Sequence, residues 1–305
     1  MINHPLISVI TVNYNQSQAT CEMLDSLLAT GYPALEVIVV DNNSTKDNPE
    51  QIIKRFPNII FIQSSKNLGF AGGNNLAIKQ AKGDYIYLLN NDTVVPERNI
   101  ENLLSVFQNN VLVGVVCPKI KFFSHPELVQ FAGYTELSKY TFRNKCIGYG
   151  EPDSDLYNIE RHSAYAHGAA MMLKREVIQK VGLMNEHYFL YYEELDWSTR
   201  IKKAGYDIIY TPSTYILHKE SLSTGKNSPL QTYYLNRNRV LYVRCNVSGH
   251  AKFFGVMYQM FIAMPKNILL CALRGQLKSL KSILKAWWWN AKNITNHSAC
   301  SYDIL

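Results

Sequence analysis

The chain contains no CxxC pair and no cysteine–histidine spacing of a zinc site. Its six cysteines (Cys21, Cys117, Cys146, Cys245, Cys271 and Cys300) are scattered, so they are expected to be small buried side chains in a reduced, cytosolic protein. No basic segment or small-residue cleavage site precedes the strand-like "LISVITV" at 6–12, so no secretory signal is expected and the Asn-x-Ser/Thr triplets carry no weight. An uninterrupted apolar run of about 20 residues, the length that spans a bilayer, is also missing. The most apolar stretch, 253–273, is interrupted by Pro265-Lys266-Asn267. No GxGxxG follows the first strand, which argues against a dinucleotide-dependent oxidoreductase. Acid is almost lacking from 221–305, where eleven Lys/Arg face one carboxylate, Asp303, for a charge of +10. Residues 1–220 hold 20 basic and 23 acidic side chains, or −3, which accounts for the overall +7. A slightly acidic body with a basic tail points to a polyanionic partner for the tail, either nucleic acid or an anionic membrane.

What is present is an alternation. With 47% hydrophobic residues over 305 positions, the chain can fill one large α/β domain or two smaller ones. Strand-like runs at 6–12, 36–40, 58–63, 85–89 and 111–118 alternate with helical spacing at 17–29, 48–56, 72–81 and 96–107. Apolar strands between amphipathic helices predict an α/β fold: a mainly parallel, Rossmann-like sheet with helices on both faces. Residues 119–165 lose the pattern and read as cleft loops or irregular packing. Regular signals return at 167–182, 188–212 and 228–246.

Ligands of such sheets sit at the carboxyl ends of the strands. Polar clusters fall there: Thr11-Val12-Asn13-Tyr14, Asp41-Asn42-Asn43 and Asn90-Asn91-Asp92. One such cluster is an ordinary turn. Three converging on one sheet edge predict a site.

Seven segments in order, "SVITVNYN", "VIVVDNNSTKDN", "NLGFAGGNN", "GDYIYLLNNDT", "GAAMMLKREVIQKVG", "YYEELDWSTRIKKAGY" and "ILHKESLSTG", carry a family likeness. The chain resembles the family 2 inverting glycosyltransferases of the GT-A fold, particularly their bacterial rhamnosyltransferase-like branch, from Ile7 to about Arg239. The resemblance implies that Thr11, Asn13 and Asp41 face the base and ribose of a nucleotide-sugar. Gly69, Gly72 and Gly73, just before a helix, permit close backbone approach and are expected to line the cleft. "NND" occupies the family's D-x-D position, which makes Asp92 the retained carboxylate for Mg²⁺ or Mn²⁺ on the departing diphosphate. Asn90 departs from the stricter aspartate and is expected at the ribose or a water. His218 is a further candidate metal ligand.

An inverting transfer needs one general base. The family commonly reads Glu-Asp-x-Asp where this chain has "EELD", so Glu194 takes the base position, with Asp196 and Glu193 as rivals. All three acids also favour the positive end of a helix beginning near residue 193. The activity implied is transfer of a sugar, rhamnose first, from a nucleotide-sugar to a hydroxyl of a cell-surface glycan or lipid-linked acceptor. A sugar nucleotidyltransferase would need a Gly-rich basic loop where this chain has "VNYNQSQAT". A non-catalytic glycan-binding relative would have no use for both Asp92 and the acidic cluster.

The chain is expected to divide into a catalytic domain at 1–249 and a basic, amphipathic helical tail at 250–305. On one helix, Leu269, Leu273, Leu277, Leu280, Leu284 and Trp287 would share a face flanked by Arg274, Lys278, Lys281 and Lys285, with "WWW" at 287–289. That pattern describes a helix lying in an anionic membrane surface rather than on nucleic acid. It implies a cytoplasmic protein, peripheral on the inner face of the plasma membrane, whose tail could be removed near Gly249 without loss of the fold.

Overall fold

The structure, a computed structural model, describes residues 4–139, 141–219 and 228–305. The part of "ILHKESLSTG" from Glu220 onward lies outside the described residues. The strand-like runs form β1 (Ile7–Asn13), β2 (Leu35–Asp41), β3 (Ile60–Gln63) and β4 (Tyr85–Leu89), which lie parallel in the order β3-β2-β1-β4. Their near-continuous burial reflects helices on both faces: α1 (Ser17–Leu28), α2 (Glu50–Arg55) and α3 (Gly69–Ile78).

Beyond β4 the sheet becomes mixed. After the short β5 (Thr93–Val94) and α4 (Asn99–Asn109) comes β6 (Val113–Phe122). The stretch without clear pattern holds the small strands β7 (Leu128–Phe131), β8 (Glu151–Pro152) and β9 (Arg161–His162). Strands of two to four residues leave almost no periodicity to read. β10 (Ala170–Lys174) then inserts antiparallel between β4 and β6, followed by α5 (Arg175–Val181), α6 (Glu193–Lys203) and β11 (Asp207–His218). β11 runs parallel to β6, and its last residues pair antiparallel with β5 at the sheet edge. The polar ends of β1, β2 and β4 and the end of β11 thus open on one side.

The C-terminal part departs from expectation in three ways. First, α8 (Gly249–Tyr258), a π-turn (Gln259–Ala263) and α9 (Met264–Leu273) follow one another without a break. Pro265 lacks a backbone N–H and its ring crowds the carbonyl four residues back; the wider π-turn absorbs that mismatch. Gly249–Leu273 is therefore one 25-residue helix of mean hydropathy 1.4 in its most apolar window, 22% of which is buried. By length and composition alone it could cross a membrane, which corrects the expectation that Pro265-Lys266-Asn267 divides it.

Second, the leucine stripe does not lie on a single helix. α9 ends at Arg274-Gly275, with Gly275 at φ +65°, and α10 (Leu277–Lys292) starts afresh. Leu269 and Leu273 are on one helix and Leu277, Leu280, Leu284 and Trp287 on the next. α10 buries Ser282, Ile283, Ala286 and Asn290, and it packs along α7 (Pro229–Asn246). Val240, Met260, Met264 and Ile283 form a small core there, and the Trp287 indole N–H donates to the Met260 carbonyl at 2.9 Å. Leu277, Leu284 and Trp288 remain exposed.

Third, Cys245 and Cys300 form a disulfide, so the expectation of six unpaired thiols fails for this pair. Fifty-five residues separate them, and only the return of the chain end to α7 brings them together. That return also docks on the body. The Asn185 amide donates to the Ala299 carbonyl at 3.0 Å, Lys79 pairs with Asp303 at 2.8 Å, and Tyr302 stacks under the Arg200 guanidinium at 3.9 Å.

Candidate functional site

A cleft of about 470 Å³ opens where the strands end. Asn90, Asn91 and Asp92 from the end of β4 line it, and so do Glu193 and Glu194 from the first turn of α6. His218 at the end of β11 and the turn His167-Gly168-Ala169 before β10 close the floor. Tyr14, Phe70, Tyr134, Phe189 and Tyr191 supply aromatic faces.

The strand ends are tied into one polar chain. The Asn91 amide donates to Thr20 Oγ1 (3.0 Å), the Thr20 hydroxyl to Asn13 Oδ1 (2.8 Å), and the Asn13 amide to Asp41 Oδ1 (2.7 Å). Asp41 also accepts from the Ser44 N–H and hydroxyl and from Gln63. Both of its oxygens are therefore committed, and it is fully buried. Thr11, Asn13 and Asp41, expected at the base and ribose, are buried and are not among the residues that line the cleft. Val12, Tyr14, Asn42, Asn67 and Asn74 line that end. The physical reason is local: a carboxylate ending β2 lies beside Ser44 of its own turn and beside Asn13 and Gln63, which end the neighbouring strands β1 and β3.

Of the three glycines expected to line the cleft, only Gly69 does. It has φ +70°, and an added Cβ would stand 2.2 Å from the Phe189 carbonyl, which the Phe70 N–H reaches at 2.7 Å. Glycine here lets the 67–70 loop meet the 189–191 loop. Gly73 instead lets α3 approach Val12 on β1, and Gly72 faces Leu68 and Glu186.

Asp92 and His218 are brought together by the β5–β11 pairing, in which Thr93 lies opposite His218. His218 Nε2 is 3.0 Å from Asp92 Oδ1, and its Nδ1 is 2.9 Å from Gln130 Oε1. With Nδ1–H donating to Gln130, the Nε2 lone pair faces a carboxylate lone pair. A second proton or a cation resolves that opposition, and a carboxylate with an imidazole suits a divalent ion. Both side chains are buried at the cleft wall. Asn90 also lines the cleft, its backbone held by the Ala169 carbonyl and its own carbonyl by Thr93.

Glu193 and Glu194 line the same cleft. Burial lifts Glu193 well above the usual carboxylate range, and the neighbouring Glu194 adds to the shift. Burial pushes Glu194 up to about 7, against a downward pull from backbone N–H groups at the helix start. A carboxylate near 7 is matched to proton abstraction at neutral pH. Asp196 is turned away from the cleft. It is committed to Arg200 (3.0 Å), the Tyr188 hydroxyl (3.3 Å) and the Asn246 amide (2.7 Å). His167 on the floor is held neutral, lowered to about 3 by burial and by His218.

Sequence reasoning missed what holds the acidic pair in place. Phe189, Tyr191 and Tyr192 adopt φ of +63°, +66° and +78°, conformations costing about 1–3 kcal/mol each for bulky residues. α7 holds this loop from behind. The buried Asn238 amide donates to the carbonyls of Tyr188, Leu190 and Tyr191 at 3.0, 2.8 and 2.6 Å, and the Arg237 guanidinium to those of His187 and Tyr188. The signal was present as Arg237-Asn238 within "NRNRV", two polar residues that α7 buries. α10 in turn covers Arg237, through Trp289 at 4.8 Å and the Asn290 amide on its carbonyl.

Comparison with known proteins agrees with this geometry. An N-acetylglucosaminyl-diphospho-decaprenol L-rhamnosyltransferase of Mycobacterium tuberculosis is 26% identical over 243 residues, 73% of this chain and 78% of that protein. A low-salt glycan biosynthesis hexosyltransferase of Haloferax volcanii is 25% identical over 240 residues, 77% of this chain and 74% of that one. Among solved structures, a mannosyltransferase from Pyrobaculum calidifontis in complex with GDP-Man and Mn²⁺ aligns with a TM-score of 0.58 at 19% identity, covering 95% of this chain and 76% of that one. Staphylococcus aureus TarS in complex with UDP-GlcNAc aligns at 0.58 and 17% identity over 92% and 81%. The sheet with its flanking helices is thus the GT-A architecture. The family model "Glycosyl transferase family 2" matches residues 8–182, more than half of the chain, and the chain therefore belongs to glycosyl transferase family 2 and is a glycosyltransferase.

Proposed function

We propose that the enzyme moves a sugar, with inversion, from a nucleotide-sugar to a hydroxyl of an acceptor sugar carried on a lipid diphosphate. Rhamnose is the leading donor sugar. The M. tuberculosis relative is named for rhamnosyl transfer to such an acceptor, and the exposed apolar face of α8–α10 suits a protein working at a membrane. The observation that carries the reading is that Asp92 and His218, 3.0 Å apart, line the same cleft as Glu193 and Glu194.

Asp92 and His218 are the residues that would hold a divalent ion; when bound, it neutralises charge developing on the departing diphosphate. The neighbour holding GDP-Man with Mn²⁺ supports this. Glu194, near 7, takes the proton of the acceptor hydroxyl as that oxygen bonds to the anomeric carbon and the bond to the diphosphate breaks. Glu193, kept protonated by burial, can donate a hydrogen bond to the sugar. The aromatic lining excludes water, which would otherwise hydrolyse the donor. A thermal-shift screen of nucleotide-sugars and nucleoside diphosphates, with and without Mn²⁺, tests the reading. A metal-dependent rise in Tm with at least one nucleotide is expected; no response to any of them would overturn it.

The same face is proposed to rest on an anionic membrane, giving a peripheral protein. Phe253, Phe254, Phe261, Ile262, Leu269 and Leu273 are exposed there, an apolar area beyond what a free surface ordinarily presents.

A further inference from the structure

The first turn of α7 walls two cavities. Leu230 and Gln231 line the catalytic cleft, while Pro229 and Thr232, on the same turn, line a second, open cavity of about 790 Å³. The opposite wall of this cavity is the α9–α10 turn, with Arg274, Gly275, Gln276, Lys278 and Ser279. Arg274 and Lys278 have no ion pair among the described residues. Neither the first turn of α7 nor that of α10 carries an acid, and α10 starts without a side-chain cap. Acids usually balance helix starts. Here two cationic side chains and the positive ends of two helices share one cavity with the C-terminal end of α9, and no carboxylate among the described residues lines it.

Leu277, which lines the cavity, is 65% exposed, and Leu273, next to Arg274 in the chain, is 75% exposed. An anion joined to a hydrocarbon chain matches both features, since the charge enters the cavity and the chain covers the leucines. Only the first turn of α7 separates this cavity from the catalytic cleft, and a helix is about 10 Å across, a gap that a short glycan can bridge.

We infer that the second cavity binds the diphosphate of a polyprenyl-diphosphate-linked acceptor, a reading that rests on the transfer to a lipid-linked sugar proposed above. Arg274 and Lys278 neutralise the diphosphate, Ser279 and Thr232 offer hydroxyl donors, and Leu273 and Leu277 meet the first isoprene units. The acceptor sugar then reaches past Leu230 and Gln231 toward Glu194.

The test uses the full chain in EDTA, which keeps divalent ions away from the catalytic cleft. Sedimentation is compared with phosphatidylcholine vesicles carrying geranylgeranyl diphosphate and with vesicles carrying phosphatidylglycerol at equal charge. The wild type is expected to bind the diphosphate vesicles about tenfold or more tightly, since such contacts are charge-assisted. Arg274→Gln/Lys278→Gln, at exposed positions, is expected to fall to the phosphatidylglycerol level while keeping its thermal shift with a nucleoside diphosphate and Mn²⁺. Equal binding to the two vesicle types, or a double variant that keeps the preference, would overturn the assignment. Inorganic pyrophosphate binding as tightly as the lipid would mark a free-anion site and overturn it too. A wild type that prefers the diphosphate vesicles but ignores every nucleoside diphosphate would leave the cavity assigned and overturn the transfer reading instead.

Discussion

Asn238→Ala separates the support of the acidic pair from the pair itself. The Asn238 amide lies 3.0, 2.8 and 2.6 Å from three loop carbonyls in a fully buried position. An amide has two hydrogens, so two donated bonds at full strength are lost from the loop, and the bond that Oδ1 accepts from Arg237 Nε at 2.7 Å goes with them. A buried acceptor left unpaired costs about 1–3 kcal/mol, so the change removes about 2–6 kcal/mol of restraint. That is comparable to the conformational cost of three bulky residues at positive φ, and the loop is expected to relax. Arg237 keeps its bonds to His187 and Tyr188, so the fold should survive with Tm lowered by several degrees. A displacement of about 1 Å at Glu194 is enough to lower turnover on the order of 10²-fold. Donor binding should be unchanged. Steady-state transfer to a soluble acceptor analogue measures the first effect, and the nucleoside-diphosphate thermal shift measures the second. If Tm falls but turnover stays within about threefold of wild type, the clamp is structural only and the reasoning fails.

Asp92→Ala is expected to abolish metal-dependent turnover while leaving the fold intact, and EDTA should stop the wild type until Mn²⁺ or Mg²⁺ is restored; wild-type-like kinetics of the variant would remove the metal assignment. Burial raises the folded-state values of Glu193 and Glu194 above the ordinary carboxylate value, so the folded state binds protons more tightly than the unfolded one. Their contribution is therefore fully present below about pH 4.5; the share of Glu194 is lost as pH rises through about 7, and that of Glu193 as pH rises through its own raised value. Chemical denaturation of wild type and Glu193→Gln/Glu194→Gln should diverge across that window, with the variant the less pH-sensitive. Phe254→Asp/Phe261→Asp, at positions 66% and 60% exposed, should weaken sedimentation with anionic vesicles without changing Tm. A chain ending near Gly249 is a poorer test than the sequence suggested, because it would uncover Arg237 and break the Cys245–Cys300 bond.

Much of the body was legible because its signals are local. The aromatic and aliphatic run at 85–89 became β4 at those bounds, and the acids at 193–196 began a helix as their charge predicts. Asp92, His218, Glu193 and Glu194, far apart in the chain, meet in the cleft. What sequence could not give was competition for the same groups. Asp41 and Asp196 looked like ligand-facing carboxylates, but Ser44, Gln63, Arg200 and Asn246 already hold their oxygens. Nor does spacing reveal that a π-turn carries a helix past Pro265, or that α10 folds back onto α7.

The most direct test of the central claim is the pH dependence of kcat for wild type and Glu194→Gln, with donor affinity measured alongside. The account predicts a wild-type rate that rises with pH through about 7, the value at which Glu194 loses its proton. It predicts a Glu194→Gln rate lower by roughly 10² or more, flat across that range, with donor binding unchanged. An active Glu194→Gln that keeps the wild-type pH profile would contradict it.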